Sequence, residues 1–333
     1  MRNTPSRYAA PLLATLALAA GPAAAQSVTI WGIVDQGLVK MNDGASIAAN
    51  SGAGLRNETV VKPAWQNRLG FRRSEDLGDG LAAFFDIEHR FSADDGVAAT
   101  PFWTGRSVVG LRSPKWGTLT LGRDYNPAFY PSVALDPWAW NTVGQMGLAT
   151  TWARYAGNDG GPRNNNMIQW RTPDFSGLTV LTMVALGENA TNRGNAVGAN
   201  VVYSKGPIYA AAAVDRAKNV AAGKPEAKMW LLGGAYDFGV VRPRVLIAQS
   251  TSFAGVDTKS AMVGASVPIG LGRVLLGWSK INPDGANNDS TKWGLGFHYD
   301  MSKRTMLYAD VGSAKTDRQS RSNGYDVGIK HSF

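Results

Sequence analysis

The sequence predicts an all-β chain, a 16-stranded antiparallel transmembrane β-barrel. Three observations carry that reading: an amino-terminal export signal, no later stretch apolar and long enough to cross a bilayer as a helix, and strand-length segments with one oily and one polar face. Strands in hydrocarbon cannot leave backbone N–H and C=O groups unpaired, so strands that cross a membrane must close on one another.

The export signal comes first. Arg2 and Arg7 precede an alanine- and leucine-rich stretch from Tyr8 to Ala20, and Gly21-Pro22-Ala23-Ala24-Ala25 supplies small residues for cleavage. Residues 1–25 therefore read as a cleaved signal and 26–333 as the barrel. A spanning helix is the competing reading, but it needs about 20 apolar residues and no cleavage site. Cysteine is absent, which excludes a disulfide framework and thiol chemistry. The formal charge of +9 becomes +7 once Arg2 and Arg7 leave. The cations are scattered through strand-like segments rather than gathered in one run, which argues against nucleic acid as partner and for a lined passage or phosphate-bearing lipid.

Thirty-nine glycines, 16 prolines and no helical stripe make the rest all-β. Seven tight turns stand at Glu75–Gly80, Pro114–Gly117, Pro173–Gly177, Lys205–Pro207, Asp237–Gly239, Pro268–Gly272 and Met301–Arg304. Between them lie longer polar connections, about Met41 to Pro63, Ser92 to Trp103 and Tyr125 to Pro162, then around Asn189, Lys218, Thr251, Asn282 and Lys315. Seven short turns imply eight hairpins' worth of strands, sixteen in all. Short turns at one end and long loops at the other are the asymmetry of a membrane barrel, whereas a soluble β-sandwich mixes them.

The strand faces agree. In the last strand Tyr325, Val327, Ile329, His331 and Phe333 oppose Asp326, Gly328, Lys330 and Ser332. Trp293, Leu295, Phe297 and Tyr299 oppose Lys292, Gly294, Gly296, His298 and Asp300, and Val28, Ile30 and Val34 oppose Thr29 and Asp35. Trp230, Tyr236, Phe238, Trp278 and Tyr299 sit near strand ends, where an interfacial girdle needs amphipathic rings. A barrel of this size is too wide for side chains to fill, so its lumen stays aqueous and forms a pore.

Several segments together resemble the Gram-negative general porins of the β-proteobacterial type: Val28–Asp35, Arg68–Phe71 leading into Ser74–Leu81, Gly117–Arg123, Arg163–Asn166, Pro173–Gly177, Ser302–Thr305 and Gly328–Phe333. They run in order from one end of the mature chain to the other. The resemblance implies a homotrimer in the outer membrane, embedded in lipid and lipopolysaccharide. It also implies a third extracellular loop folded inward, here about Tyr125 to Pro162. Tyr325, Ile329 and Phe333 would form the carboxyl-terminal signal read by the barrel-assembly machinery. Phe129, Tyr130, Trp138, Trp140 and Trp152 argue that this loop is packed.

The same resemblance implies a constriction in which wall arginines face carboxylates on the inward loop. Arg68 and Arg163 fall on two of the family's basic positions. The third is Gly105 here, with Arg106 beside it, so Arg106 points either outward or, if a bulge re-aims it, into the lumen. Parity alone places Arg68 and Arg72 inward, opposite Leu69 and Phe71. It places Asp86, Glu88 and Arg90 opposite Phe85 and Ile87, and Gln169 and Arg171 opposite Ile168 and Trp170. The direction of Arg123 stays open, because it shares the parity of Leu119 and Leu121. Between Asn126 and Gly157 the loop's charges are Asp136 and Arg154. Rings of basic residues favour anions, so the expectation is a mild preference for small anionic solutes passing by diffusion, without a phosphate loop or cofactor.

The charged positions also have a plainer reading. An inward arginine can simply be held by a neighbouring carboxylate, and a terminal one can reach lipid headgroups. A barrel enzyme finds little footing, since His89, His298 and His331 carry no metal spacing or nucleophile. A channel dedicated to one small anionic nutrient fits the same pattern, and an exported soluble β-sandwich binding protein would share the signal and the strands but not the alternation of turn lengths.

Overall fold

A strand whose side chains alternate between oil and water needs a sheet with one face toward each, and the chain builds a single closed one. The structure is a computed structural model describing residues 27–41, 57–146, 162–188, 194–220, 224–285 and 289–333. The expected export signal, Trp152 and Arg154 lie outside the described residues.

The strands are β1 (Thr29–Met41), β2 (Thr59–Lys62), β3 (Asn67–Gly78), β4 (Leu81–Phe91), β5 (Ser107–Ser113) and β6 (Gly117–Tyr125). A short helix, α1 (Phe129–Leu135), separates these from β7 (Arg163–Arg171), β8 (Leu178–Ala185), β9 (Ala196–Lys205), β10 (Ile208–Ala217) and β11 (Ala227–Tyr236). The chain ends with β12 (Arg242–Thr251), β13 (Asp257–Ile269), β14 (Gly272–Pro283), β15 (Ser290–Asp300), β16 (Thr305–Thr316) and β17 (Ser322–Ser332). Neighbours pair antiparallel in chain order, and β1 pairs with β17 to close the barrel. Phe333 completes the seam by exchanging two backbone hydrogen bonds with Gly32, both 3.1 Å. All seven short turns fall between strands as the sequence predicts.

One difference lies in the first long connection. Its last part, expected as loop, is β2, which pairs with the upper half of β1 while β3 pairs with the lower half. Strands β2 and β3 are thus one crossing interrupted at 63–66, and seventeen strands make sixteen crossings. Asp35 holds the interruption: its Oδ1 accepts from the backbone N–H of Ala64 at 2.6 Å and of Trp65 at 3.0 Å, and from the Tyr308 hydroxyl at 3.1 Å. Proline at 63 has no N–H to offer a ladder, so a break there loses little.

The outer face is apolar. Trp293, Leu295, Phe297 and Tyr299 are 38–45% exposed, whereas Lys292 and His298 on the opposite parity are buried. Exposed hydrophobics of this extent need lipid as their solvent. The inner face divides into two arcs. On β3 to β7 it carries Arg68, Arg72, Asp86, Glu88, Arg90, Asp124 and Gln169, whereas on β8 to β14 it carries Leu181, Met183, Leu231, Leu246, Met262 and Leu275, all buried.

The described part of the third long connection packs on this second arc. Leu135, Trp138 and Met146 join Met183, Met229, Leu231, Leu246, Met262 and Leu275 in one apolar cluster. Polar anchors run around the wall: Ala128 N–H donates to Asp215, the Trp138 indole N–H to Asp310 at 2.6 Å, and Val143 N–H to Asp326 at 2.7 Å. Ser279 donates to the Met146 carbonyl, and Asn200 to that of Pro127 at 2.6 Å. Gly264, Gly277, Gly294 and Gly312 are successive register partners on β13 to β16. A Cβ on them would collide with Pro137, Met146, the Gly144 carbonyl and the Val143 carbonyl in turn. This glycine trough lets the loop backbone lie against the wall.

Within the loop Asp136 is 3% exposed and accepts from the backbone N–H of Trp138 at 2.9 Å and of Met146 at 3.0 Å. Burial pushes its carboxyl up to about 6, opposed by those two hydrogen bonds and by Lys292 and Arg244.

Two outcomes follow. In Gly294→Val the loop must leave the trough, which costs about 1–3 kcal/mol; the thermal transition should fall and protease should cut the 126–146 segment while the strand signal in circular dichroism persists. Unchanged melting and protease resistance would exclude the trough as the seat. The raised Asp136 carboxyl makes its contribution to stability complete below the ordinary value near 4, and that contribution is lost as pH rises through about 6. Asp136→Asn should therefore flatten the decline in melting temperature between pH 4 and pH 7, and an identical slope in both proteins would contradict the assignment.

Candidate functional site

The arc left uncovered by the loop brings together charged side chains from β3, β4, β6 and β7. The register sets Arg68 opposite Arg90, Gly70 opposite Glu88 and Arg72 opposite Asp86, so alternation stacks these charges on the inner face. Glu88 is buried and takes Arg90 Nε at 2.6 Å and Arg68 Nη1 at 3.5 Å. Arg90 also donates to Gln66 Oε1 at 2.7 Å and to the Tyr125 hydroxyl at 3.3 Å. Arg163 reaches that same hydroxyl, with its guanidinium 4.2 Å from the Tyr125 ring centre. A cavity of about 360 Å³ opens beside the group, lined by Gln66, Asn67, Arg90, Thr104 and Arg163 among others. Two guanidiniums thus share one carboxylate, and a third is joined to them through Tyr125.

Arg106 faces inward, which decides the direction left open by the sequence. Its Nε lies 2.8 Å from Asp124 Oδ2 and its Nη1 3.2 Å from Asp86 Oδ2. Gly105 N–H donates to the Glu88 carbonyl and Glu88 N–H to the Arg106 carbonyl, so two residues meet one on β4. That bulge turns both residues toward the lumen, and a Cβ on Gly105 would strike the Glu88 side chain. Gly105 therefore stands where the wall has no room for a third arginine.

The remaining predicted residues are placed as follows. Arg72 lies 5.7 Å over the Trp31 ring at the short-turn end. Arg123 donates to the Thr104 carbonyl at 3.2 Å and to Asn165 Oδ1 at 2.5 Å, tying the connection before β5 to the start of β7. Arg171 lies 5.5 Å over the Tyr130 ring, well below the Arg163 group on the same strand. Asp136 stands apart from the arginine group: its buried oxygens accept from the loop's own backbone. Tyr325 and Ile329 face outward, and Phe333 closes the seam.

Sequence reasoning missed Gln66, Asp124 and Tyr125. Parity with Thr118 and Thr120 could have found Asp124. Tyr125 could not be found that way, because it has the parity of the outward Leu119 and Leu121 and ends β6 just past the register shift with β7. Among the described residues no group of His, Cys, Asp and Glu could hold a metal ion.

A Gram-negative porin family model matches residues 12–319. Outer membrane porin protein 32 of Delftia acidovorans is 31% identical over 352 residues, covering 96% of this chain and 98% of that protein. An outer membrane porin protein of Bordetella pertussis is 30% identical, covering 97% and 99%. Among solved structures, an anion-selective porin from Comamonas acidovorans superposes with a TM-score of 0.81 at 28% identity, covering 92% of this chain and all of that one. OmpT of Vibrio cholerae in a trimer form shares the fold at 14% identity and a TM-score of 0.69. With its sixteen crossings, lipid-facing wall and charged inner arc, the chain belongs to the Gram-negative porins of the outer membrane.

Proposed function

We propose that this porin passes small hydrophilic solutes with a mild preference for anions, selected where Arg68 and Arg90 share the carboxylate Glu88 and Arg163 stands beside them on the Tyr125 hydroxyl. That sharing carries the reading. One carboxylate balances one guanidinium, and the partner that Arg163 shares with Arg90, the Tyr125 hydroxyl, carries no charge to balance another. A narrow, low-dielectric passage focuses the surplus charge. Arg106 adds little, since Asp86 and Asp124 both pair with it. The buried Asp136 does not oppose the arginines across the passage. The loop seated on the opposite arc narrows the channel and presses solutes toward the charged wall. The anion-selective character of the Comamonas porin agrees with this assignment.

A homotrimer belongs to the same proposal, as do cleavage of residues 1–25, insertion by the barrel-assembly machinery through the Tyr325, Ile329 and Phe333 face, and lipopolysaccharide as the outer-leaflet neighbour. An unheated sample on a denaturing gel should migrate as an oligomer and collapse to monomer on boiling; monomer migration without heating would remove the trimer.

Reversal potentials across planar bilayers in a salt gradient test selectivity. Wild type should favour chloride over potassium. Arg68→Ala and Arg163→Ala should each lower that ratio by roughly two- to threefold, the effect of about one kT of local potential. Glu88→Gln should raise it. Cation preference in wild type, or indifference to all three changes, would overturn the constriction as the selecting element.

A further inference from the structure

The open side of the lumen is aromatic as well as basic. Trp31 on β1 shares its inward face with Asp35, and its register partner on β3 is Gly70, two residues from Arg68 toward the short turn. A Cβ on Gly70 would meet the indole at 2.3 Å, so the glycine lets the ring lie against the wall. Arg72 lies over that ring. Trp65, in the break between β2 and β3, stands just before Arg68, with Lys330 Nζ 4.1 Å from its ring centre. Arg68 is thus flanked by two partly exposed indoles, each carrying a cation.

The carboxylates that could hold these two cations are committed elsewhere. Asp86, the register partner of Arg72, pairs with Arg106 at 3.2 Å. Asp35, the register partner of Lys330, takes the N–H groups of Ala64 and Trp65 and the Tyr308 hydroxyl. Among the described residues Arg72 and Lys330 form no ion pair, so an aromatic face stands where a carboxylate would. A simple inorganic anion uses only the charge of such a wall. A flat organic anion uses both parts: its carboxylate meets a guanidinium or ammonium, and its ring stacks on an indole or on the planar guanidinium itself. A saturated ring of the same size keeps the charge and loses the stacking. Passage needs binding firm enough to enter and loose enough to leave, and one ring contact ranks solutes without trapping them.

We propose that the wall around Arg68, from Trp31 and Arg72 to Trp65 and Lys330, binds aromatic monocarboxylates in preference to aliphatic ones of equal size, a specificity that rests on the anion-preferring passage inferred above. The test is the conductance of the purified protein in planar bilayers at fixed potassium chloride and pH 7, with benzoate or cyclohexanecarboxylate added as potassium salt. Benzoate should halve the chloride current at a concentration roughly two- to tenfold lower, the effect of one ring contact. Burial of apolar surface alone predicts the reverse order, because the saturated ring is the more apolar. Benzamide, which keeps the ring without the charge, should leave the current unchanged. Trp31→Leu/Trp65→Leu should abolish the difference between the two carboxylates while keeping the unheated gel mobility of wild type, which shows that it is folded. Equal half-blocking concentrations in wild type, a lower one for cyclohexanecarboxylate, block by benzamide, or a benzoate preference that survives in the folded double variant would overturn the site. The wild-type comparison stands even where the double variant misfolds. The chloride-over-potassium ratio is read from the same membranes. A chloride-preferring wild type that treats both carboxylates alike removes the aromatic site alone, whereas a cation-preferring one removes the passage beneath it.

Discussion

Hydrocarbon offers no hydrogen bonds, and that single constraint organises the molecule. Each spanning N–H and C=O must find a partner within the sheet, so the first and last strands have to meet. Their meeting is built from the first and last strands: Gly32 and Phe333 exchange backbone hydrogen bonds at the edge of the seam. The Phe333 ring lies across Gly32, where a Cβ would meet it at 2.6 Å. A glycine in the first strand and an aromatic at the carboxyl terminus are therefore two halves of one closure. Once the cylinder is closed, alternation assigns every residue to oil or to water, and a change of one in register would reverse the whole set.

The lumen does not follow the simple rule that inward means polar. Its β8 to β14 arc is lined with methionine, leucine and alanine because a loop, not water, covers it. Glycines in register remove side chains where the loop backbone passes, and the buried carboxylates Asp215, Asp310 and Asp326 take up donors that the loop would otherwise leave unpaired. The opposite arc keeps its charges because nothing apolar packs on it. Position of the loop and placement of the passage are thus one decision, made by the wall.

Much of this was legible in the sequence, and the limit of legibility is physical. Period-two alternation in Trp293–Asp300 and Tyr325–Phe333 survives into the structure because long, regular strands have no freedom to do otherwise. Turn signals survive for the same reason. Three site features were hidden wherever alternation is interrupted. The bulge at Gly105 and Arg106 turns two successive residues to one side, the slip at Gly122 brings Tyr125 into the arginine group, and the break after Pro63 delivers Gln66 to Arg90. Asp136 was misplaced for another reason. A lone acidic residue in a loop reads as a charge on the passage, but burial and two backbone donors make it part of the loop's internal architecture.

The arginines show how little residue type alone determines. Arg106 and Arg68 stand on the same face of the same wall. Two carboxylates close on the first, while the second shares its one partner with Arg90. Arg216 stands on the outer face because its strand puts even positions outward, and there it pairs with Glu226. The electrostatics of this barrel are set by which cations lack an exclusive carboxylate and by the face each occupies. Inside, Arg68 and Arg90 crowd one carboxylate at Glu88; outside, Arg216 and Lys280 each have their own, Glu226 and Asp289. A sheet of side chains and backbone separates the two faces, so a cation on one leaves the charges on the other unbalanced.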